Sequence, residues 1–517
     1  MSEIFKRSLK RRQFLQLTSS TAIGAVLGST TYLGFAQTSQ AAGNPWILKV
    51  TRGVDDKNKF FYNGKTPGPT ITASAAETIE LTLINDMEPD NEECPRDINT
   101  PHGENITNFH THGLHVSPEL DKTGRFDADN VFLKVIPLGQ KECGNIDDIR
   151  RGENKYRFDL PRDHTPGTHW YHAHNHGSTD KQVSGGLVGA IIIKDPPGSD
   201  MPDYITEAPE RVIIISNGKA IEVDPEGGGQ SDHVIKLAPG AVERWRIINA
   251  DPRANSFLEL NVDSPDVELW QIAYDGLTLE KRVRILSDNR EPWLAAAALA
   301  PGNRTDLMVR VKNNAAAGRV ALVAGQIRAT LLRMPGQESL ARASAPVEVR
   351  IEIEGDPISR PWSDNPELPG PGLPPIPRET QTKRTVTFSV EPDSTNPNGY
   401  RFMINGKLFG EDPDPMFKMK LGDWETWHLE NKDTGIHPFH IHVNPFFVTH
   451  INGKELAKDD PLRRWQDVIA IPPQADGSPG NIDIVSHFAD FTGKFVIHCH
   501  ILAHEDIGMM RVVEVIK

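Results

Sequence analysis

Beyond its N-terminal segment the chain alternates apolar and polar residues in short runs, and that period of two is what limits its fold. IELTLIND (79–86), VEVRIEIE (347–354) and RTVTFSVE (384–391) place apolar side chains at every second position, which lines one face of a strand and leaves the other for water. VIIISNG (212–218) and the closing MRVVEVIK are further strand candidates, and glycine, proline or asparagine often punctuates the runs. Long helical periodicity is nearly absent. A strand with one apolar face must bury it against another sheet, so an all-β class built of stacked antiparallel sheets is expected.

Two stretches interrupt the pattern. KDPPGSDMPDYITEAP (194–209) reads as a first linker, and GDPISRPWSDNPELPGPGLPPIPRET (355–380) as a second whose prolines make it stiff and extended. They divide the chain into segments 43–200, 205–355 and 381–517, with 356–380 as the proline-rich linker, and each segment is the size of one sandwich or slightly more. A chain of 517 residues with 38% hydrophobic and 24% charged residues can bury several such cores. The formal charge of −14, with no long basic tract after the opening residues, excludes a broad nucleic-acid surface, which needs cations to displace phosphate counterions.

Residues 1–42 are a different kind of sequence. SLKRRQFLQLTSSTAIGAVLGSTTYLGFA opens basic, continues moderately apolar and exits through Gly34, Phe35 and Ala36, the architecture of an export signal followed by a mature N-terminal tail. Arg11 and Arg12, followed by Phe14 and Leu15, look like the twin-arginine signal of proteins exported already folded. An N-terminal membrane anchor is the alternative. The expectation is an exported protein, periplasmic or extracellular, that meets the twin-arginine machinery during maturation and has no stable membrane insertion. Cys94 and Cys143 lie in the polar stretches ECPRD and KECGN, where an oxidising compartment permits them to pair; two free surface thiols are the alternative.

Four clusters carry the chemistry. NFHTHGLH holds His110 and His112, and GTHWYHAHNH holds His172 and His174; on a strand each pair points one way. HPFHIH gives His437, His440 and His442, and HCHILAHEDIGMM gives His498, Cys499, His500, His504 and Met509. One such pair is more often surface or satisfied core than ligand. Ten histidines, a thiol and a thioether in four groups from both ends of the chain are another matter. Thiolate plus imidazole with a weak axial thioether is the coordination of a blue copper site. Zinc would accept the same atoms but has no redox chemistry and would leave the surplus histidines without a purpose.

These four segments resemble the copper-binding motifs of the multicopper oxidases, the family of laccases, bilirubin oxidases and bacterial spore-coat and copper-efflux oxidases. The resemblance extends over about residues 45–517 and includes YNGKTPGPTI (62–71), PGAVERWRIINA (239–250), LAPGNRTDLMV (299–309) and FMINGKLF (402–409). It implies three cupredoxin-like Greek-key β-sandwich domains, the first and third sharing a trinuclear site and the middle one without copper. It implies four copper ions per chain. His437, Cys499 and His504 would hold the type 1 copper with Met509 as weak axial ligand, and His110 and His440 the type 2 copper. His112, His172, His174, His442, His498 and His500 would share the two type 3 coppers. Cys499 would thus ligate the electron-accepting copper, while its neighbours His498 and His500 ligate the cluster where O2 is reduced.

The resemblance also gives Glu505, directly after His504, a role in proton delivery, the alternative being a solvated carboxylate. A second acid is expected beside the type 2 copper: Asp129 in ADNVF, with Asp121 as its rival. Asp506 is assigned to a supporting or surface position, and His115, His169 and His176 are expected not to touch copper. Trp170 and Tyr171 are expected to pack around the cluster. The implied partners are O2 and a small-molecule reductant, phenols or aromatic amines first, with bilirubin-type pigments a variant and a cuprous-ion oxidase of copper tolerance the main rival. A copper nitrite reductase or a non-enzymatic copper carrier would not need histidines on both sides of Cys499. Monomer is the expected state.

Overall fold

The computed structural model describes residues 45–90, 94–231, 234–254, 256–286, 291–325, 347–394 and 399–517. The export segment expected at 1–42 lies outside them. Six sheets dominate, and they fall in pairs along the chain. In the first pair, Trp46–Arg52 and Thr78–Asn85 belong to one sheet and Gly167–His172 and Val188–Ile193 to the other. The second pair contains Val242–Asn249 and Arg304–Val311 against Val320–Gly325 and Val347–Ile353. The third contains Trp424–Asn431 and Gly480–His487 against His437–Ile441, Gly493–Cys499 and Met510–Ile516. These are stacked cupredoxin-like β-sandwiches.

The strands expected from alternation are present: Thr78–Asn85, Glu210–Ser216, Val347–Ile353, Thr382–Pro392 and Met510–Ile516. The sheets are not wholly antiparallel. Each of the six contains one parallel pair, such as Trp46–Arg52 with Thr78–Asn85, Glu210–Ser216 with Val242–Asn249, and Thr382–Pro392 with Trp424–Asn431. Parallel partners need a crossover rather than a hairpin, and alternation is blind to it because the same face is buried either way.

Each sandwich closes on its own apolar core, around Phe109 and Phe158, around Trp245 and Leu307, and around Trp427 and Phe439. A further cluster joins them: Trp170 and Val188 from the first, Ile214 and Ile248 from the second and Leu502 from the third are buried together. The 355–380 segment forms no helix or strand, and it is packed, with Trp362 against Tyr204 and under the guanidinium of Arg282. Among the described residues no helix is long and apolar enough to cross a membrane. Cys94 and Cys143 are joined by a disulfide.

Candidate metal centre

Strand register brings the histidine clusters together. His110–His112 pairs with Gly167–His172 so that His110 faces His172, and His437–Ile441 pairs with Gly493–Cys499 so that His440 faces His498. The two histidine-bearing sheets then meet: the rings of His110 and His442 stack at 3.9 Å, as do those of His112 and His440. His174 and His442 each bring Nε2 to 3.3 Å from His498 Nε2, and His500 Nε2 lies 3.2 Å from His112 Nδ1. Eight imidazoles, all buried, thus converge from the first and third sandwiches.

The outward nitrogens of four of these rings are occupied. His110 Nδ1 meets both oxygens of Asp129 at 3.0 Å, while His172, His440 and His498 use Nδ1 on the carbonyls of Ala173, Asp467 and Cys499. Inward nitrogens are not: His110 Nε2, His172 Nε2 and His440 Nε2 are buried without a hydrogen-bond partner. Orphaned polar atoms in a protein interior cost free energy, and rings held from outside with a lone pair aimed inward are how metal ligands are presented. Burial holds these histidines well below their ordinary pKa, to about 3 for His172 and about 4 for His498, with neighbouring rings adding to it for His110 and His442. They are neutral at physiological pH, the form that binds metal.

A second group lies beside the first. Cys499 Sγ is 3.5 Å from His437 Nδ1 and 3.7 Å from His504 Nδ1, and these three can hold one metal ion. Met509 is fully buried in the same apolar cluster as Cys499, whereas Met510 belongs to another cluster with Val131 and Val496. Burial pushes the Cys499 thiol up; a cation beside the sulfur is what would offset that. A soft thiolate with two imidazoles and a nearby thioether fits copper, and the eight-imidazole group fits further copper ions.

Asp129 is buried against His110 and also accepts from the Thr111 amide at 2.8 Å, and burial pushes its carboxyl up to about 7. Asp121 instead organises its own turn, accepting from Thr123 and from the amides of Arg125 and Phe126. Glu505 is buried, with Oε1 3.2 Å from His176 Nδ1 and Oε2 without a partner, and burial raises it to about 8. Asp506 is buried too, accepting from the amides of Gly177, Thr179 and Asp180 at the start of the Thr179–Gly185 helix. Trp170 stacks on His172 at 4.4 Å, as expected of a cluster wall. Tyr171 does not: its position one residue on sends it to the opposite face, where it stacks on Phe109 and donates to Pro69 O. His115 is engaged by Val443 O and Asp490, and His169 lies against His164.

Sequence reasoning missed three residues. Asp467 Oδ1 lies 3.3 Å from His112 Nε2, and its carboxylate takes two bonds of 2.6 and 2.7 Å from Arg304, a residue of the middle sandwich. Burial raises Asp467 to about 7 even with Arg304 opposing it. Gly113, at φ +87°, makes room for that ion pair, since a Cβ there would collide with Arg304. Asp433 Oδ2 is 3.1 Å from Nε2 of His437. Its position four residues before His437 was the available signal; Asp467 and Arg304 gave none, because only the folding of distant strands puts them beside His112.

Two multicopper oxidase family models match the chain, over residues 376–517 and 144–198. A multicopper oxidase of Staphylococcus aureus is 27% identical over 91% of this chain and 88% of its own length, and a laccase of Bacillus subtilis is 24% identical over 90% and 92%. Among solved structures, a multicopper oxidase of Campylobacter jejuni described as a metallo-oxidase shares the fold at a TM-score of 0.63 and 22% identity, covering 91% of this chain and 90% of that one. With the thiolate and imidazole groups in place at the junction of its sandwiches, the chain belongs to the multicopper oxidases.

Proposed function

We propose that the chain is a laccase-like enzyme coupling four one-electron oxidations of phenolic or aromatic amine donors to the four-electron reduction of O2 to water. The observation that carries this reading is the direct chain link between the two groups: Cys499 belongs to the thiolate group, and its neighbours His498 and His500 to the imidazole group. In this reading His437, Cys499, His504 and Met509 hold type 1 copper, and His110 and His440 hold type 2. His112, His172, His174, His442, His498 and His500 hold the type 3 pair, making four coppers per chain. Bound copper supplies one-electron chemistry and a place where O2 meets several electrons at once.

The chain's own residues do the remaining work. Asp129 engages His110 Nδ1 and leaves Nε2 facing inward. Glu505 holds a proton in a site shut off from water, and His176 stands between it and Asn99, with 3.2 Å contacts on both sides. Asp506 fixes the helix start against which Glu505 lies. Trp170 walls the cluster and keeps water out on one side.

A second reading, a cuprous-ion oxidase, is favoured by Asp433. Its carboxylate is at the rim, with the side chain 10% exposed, and a cation drawn to it would stand one imidazole away from Cys499. The Campylobacter jejuni relative is described as a metallo-oxidase. Against this, the chain has ten methionines and no dense run beyond Met509 and Met510.

The deciding measurement is the initial rate of oxygen uptake by copper-loaded protein, with a methoxyphenol or Cu(I) as sole donor, in wild type and Asp433→Asn. Turnover faster with the phenol than with Cu(I), in both proteins, is the expected result. A strong preference for Cu(I) that Asp433→Asn removes would make it a metallo-oxidase, and no uptake with either donor would overturn both readings.

A further inference from the structure

The third sandwich carries another row of metal-ligating side chains, on the strands Trp424–Asn431, Gly480–His487 and Phe446–Ile451. His428 on Trp424–Asn431 stands directly opposite Asp483 on Gly480–His487, and Asp483 stands opposite His450 on Phe446–Ile451. His428 Nδ1 is 2.5 Å from Asp483 Oδ1, and His450 Nδ1 is 3.6 Å from Asp483 Oδ2. The neighbours Leu429, Ile451, Ile482 and Ile484 are buried in the core, so the row lies on the outer face of its sheet.

Simple alternation would not produce this row. The register of Phe446–Ile451 slips between Val448 and His450, and the extra residue lets His450, rather than Thr449, stand opposite Asp483. Such bulges re-aim side chains. Thr449 closes the bulge by donating its hydroxyl to Asp483 O at 3.1 Å, and its Oγ1 lies 3.0 Å from His450 Nδ1. Behind His428 stands a second carboxylate, Glu430, with Oε1 3.6 Å from His428 Nε2 and Oε2 accepting from Thr387 at 3.0 Å.

We propose that His428, Asp483 and His450 form a site for a borderline divalent cation such as Zn2+ or Cu2+, distinct from the copper centre. Two imidazoles and a carboxylate are the donors such ions choose. Ligand atoms sharing a tetrahedral ion at about 2.0 Å stand about 3.3 Å apart, and the 2.5 and 3.6 Å separations bracket that distance. Glu430 occupies the place of the outer carboxylate that fixes a ligating ring. The side chains of His428 and Asp483 are 37% and 26% exposed, so the ion would exchange with solvent and water would complete its shell. A cation here ties three neighbouring strands together across their outer face.

The test is a calorimetric Zn2+ titration of copper-loaded protein at neutral pH, in wild type, His428→Ala, His450→Ala and Asp483→Asn, with the blue absorbance followed throughout. One Zn2+ per chain is expected with the absorbance unchanged, and a loss of affinity of roughly tenfold or more in each variant. Zn2+ should also raise the melting temperature of wild type and not of the variants, which oxygen uptake with a methoxyphenol shows to be folded. No saturable binding in wild type would overturn the proposal. So would equal affinity in all four proteins, or binding accompanied by loss of the blue absorbance, which would place the zinc in the copper centre.

Discussion

Asp129 and Asp121 are two carboxylates of one loop with opposite surroundings, and substitution separates them. Asp129 alone reaches His110, so Asp129→Asn should reduce oxygen uptake about 10- to 100-fold while the blue absorbance stays. Asp121→Asn should leave turnover intact and cost about 1 kcal/mol of stability from its turn, read by thermal unfolding. Glu505→Gln keeps the shape of the buried side chain but cannot hand on a proton, and turnover should drop about 100-fold with the spectrum preserved. Cys499→Ser should abolish both colour and turnover; retained blue absorbance would sink the thiolate assignment. The histidine groups and Cys499 stood out because each group falls within one short run of sequence, while strand register is what brings the runs together. Asp467 and Arg304 were not, because the proximity that matters to them spans 163 residues.

At the scale of strands, the middle and third sandwiches repeat a device. Trp245 donates Nε1 to Glu243, which Arg211 also holds, and Trp427 donates to Glu425, which Arg384 holds. The segments VERWRIIN and WETWHLEN carry the shared Glu-x-Trp, yet the arginines come from the parallel partner strand, whose identity alternation cannot supply. Asp306, on Arg304–Val311, accepts from Arg244, Arg246 and, across to the first sandwich, Thr168. Burial alone would raise it, but the two arginines outweigh burial and hold its carboxyl below the ordinary range. A depressed carboxylate contributes stability that is complete above the unfolded value of about 3.9 and is lost as pH falls through the folded value. Asp306→Asn should therefore cost about 3 kcal/mol near neutrality. Thermal unfolding should show that gap unchanged between pH 7 and 5 and narrowing below about pH 4.

For the whole molecule, the middle sandwich contributes none of the eight imidazoles among the described residues and still reaches the cluster through Arg304. Arg304→Met would leave Asp467 buried without its counter-charge beside His112. A loss of about 3–5 kcal/mol is expected. Metal analysis should show less copper per chain than in wild type while the blue absorbance persists, since Cys499, His437 and His504 form a group apart from Arg304. Three stacked sandwiches were readable from run length and the two linkers, but the packing of Trp362 onto its neighbours was not, because proline content reports stiffness and says nothing of what a stiff segment lies against.

His112 and His500 meet across 388 residues of chain. During synthesis the first of these emerges long before the second, so for most of that time half of the imidazoles exist without their counterparts. The eight-ring group can be completed only after the last strands have formed and docked. Copper uptake at this junction is consequently a clock for the end of folding: a nascent or truncated chain lacking residues from His498 onward has no complete cluster to fill, and full metal content certifies that both ends of the polypeptide have found each other.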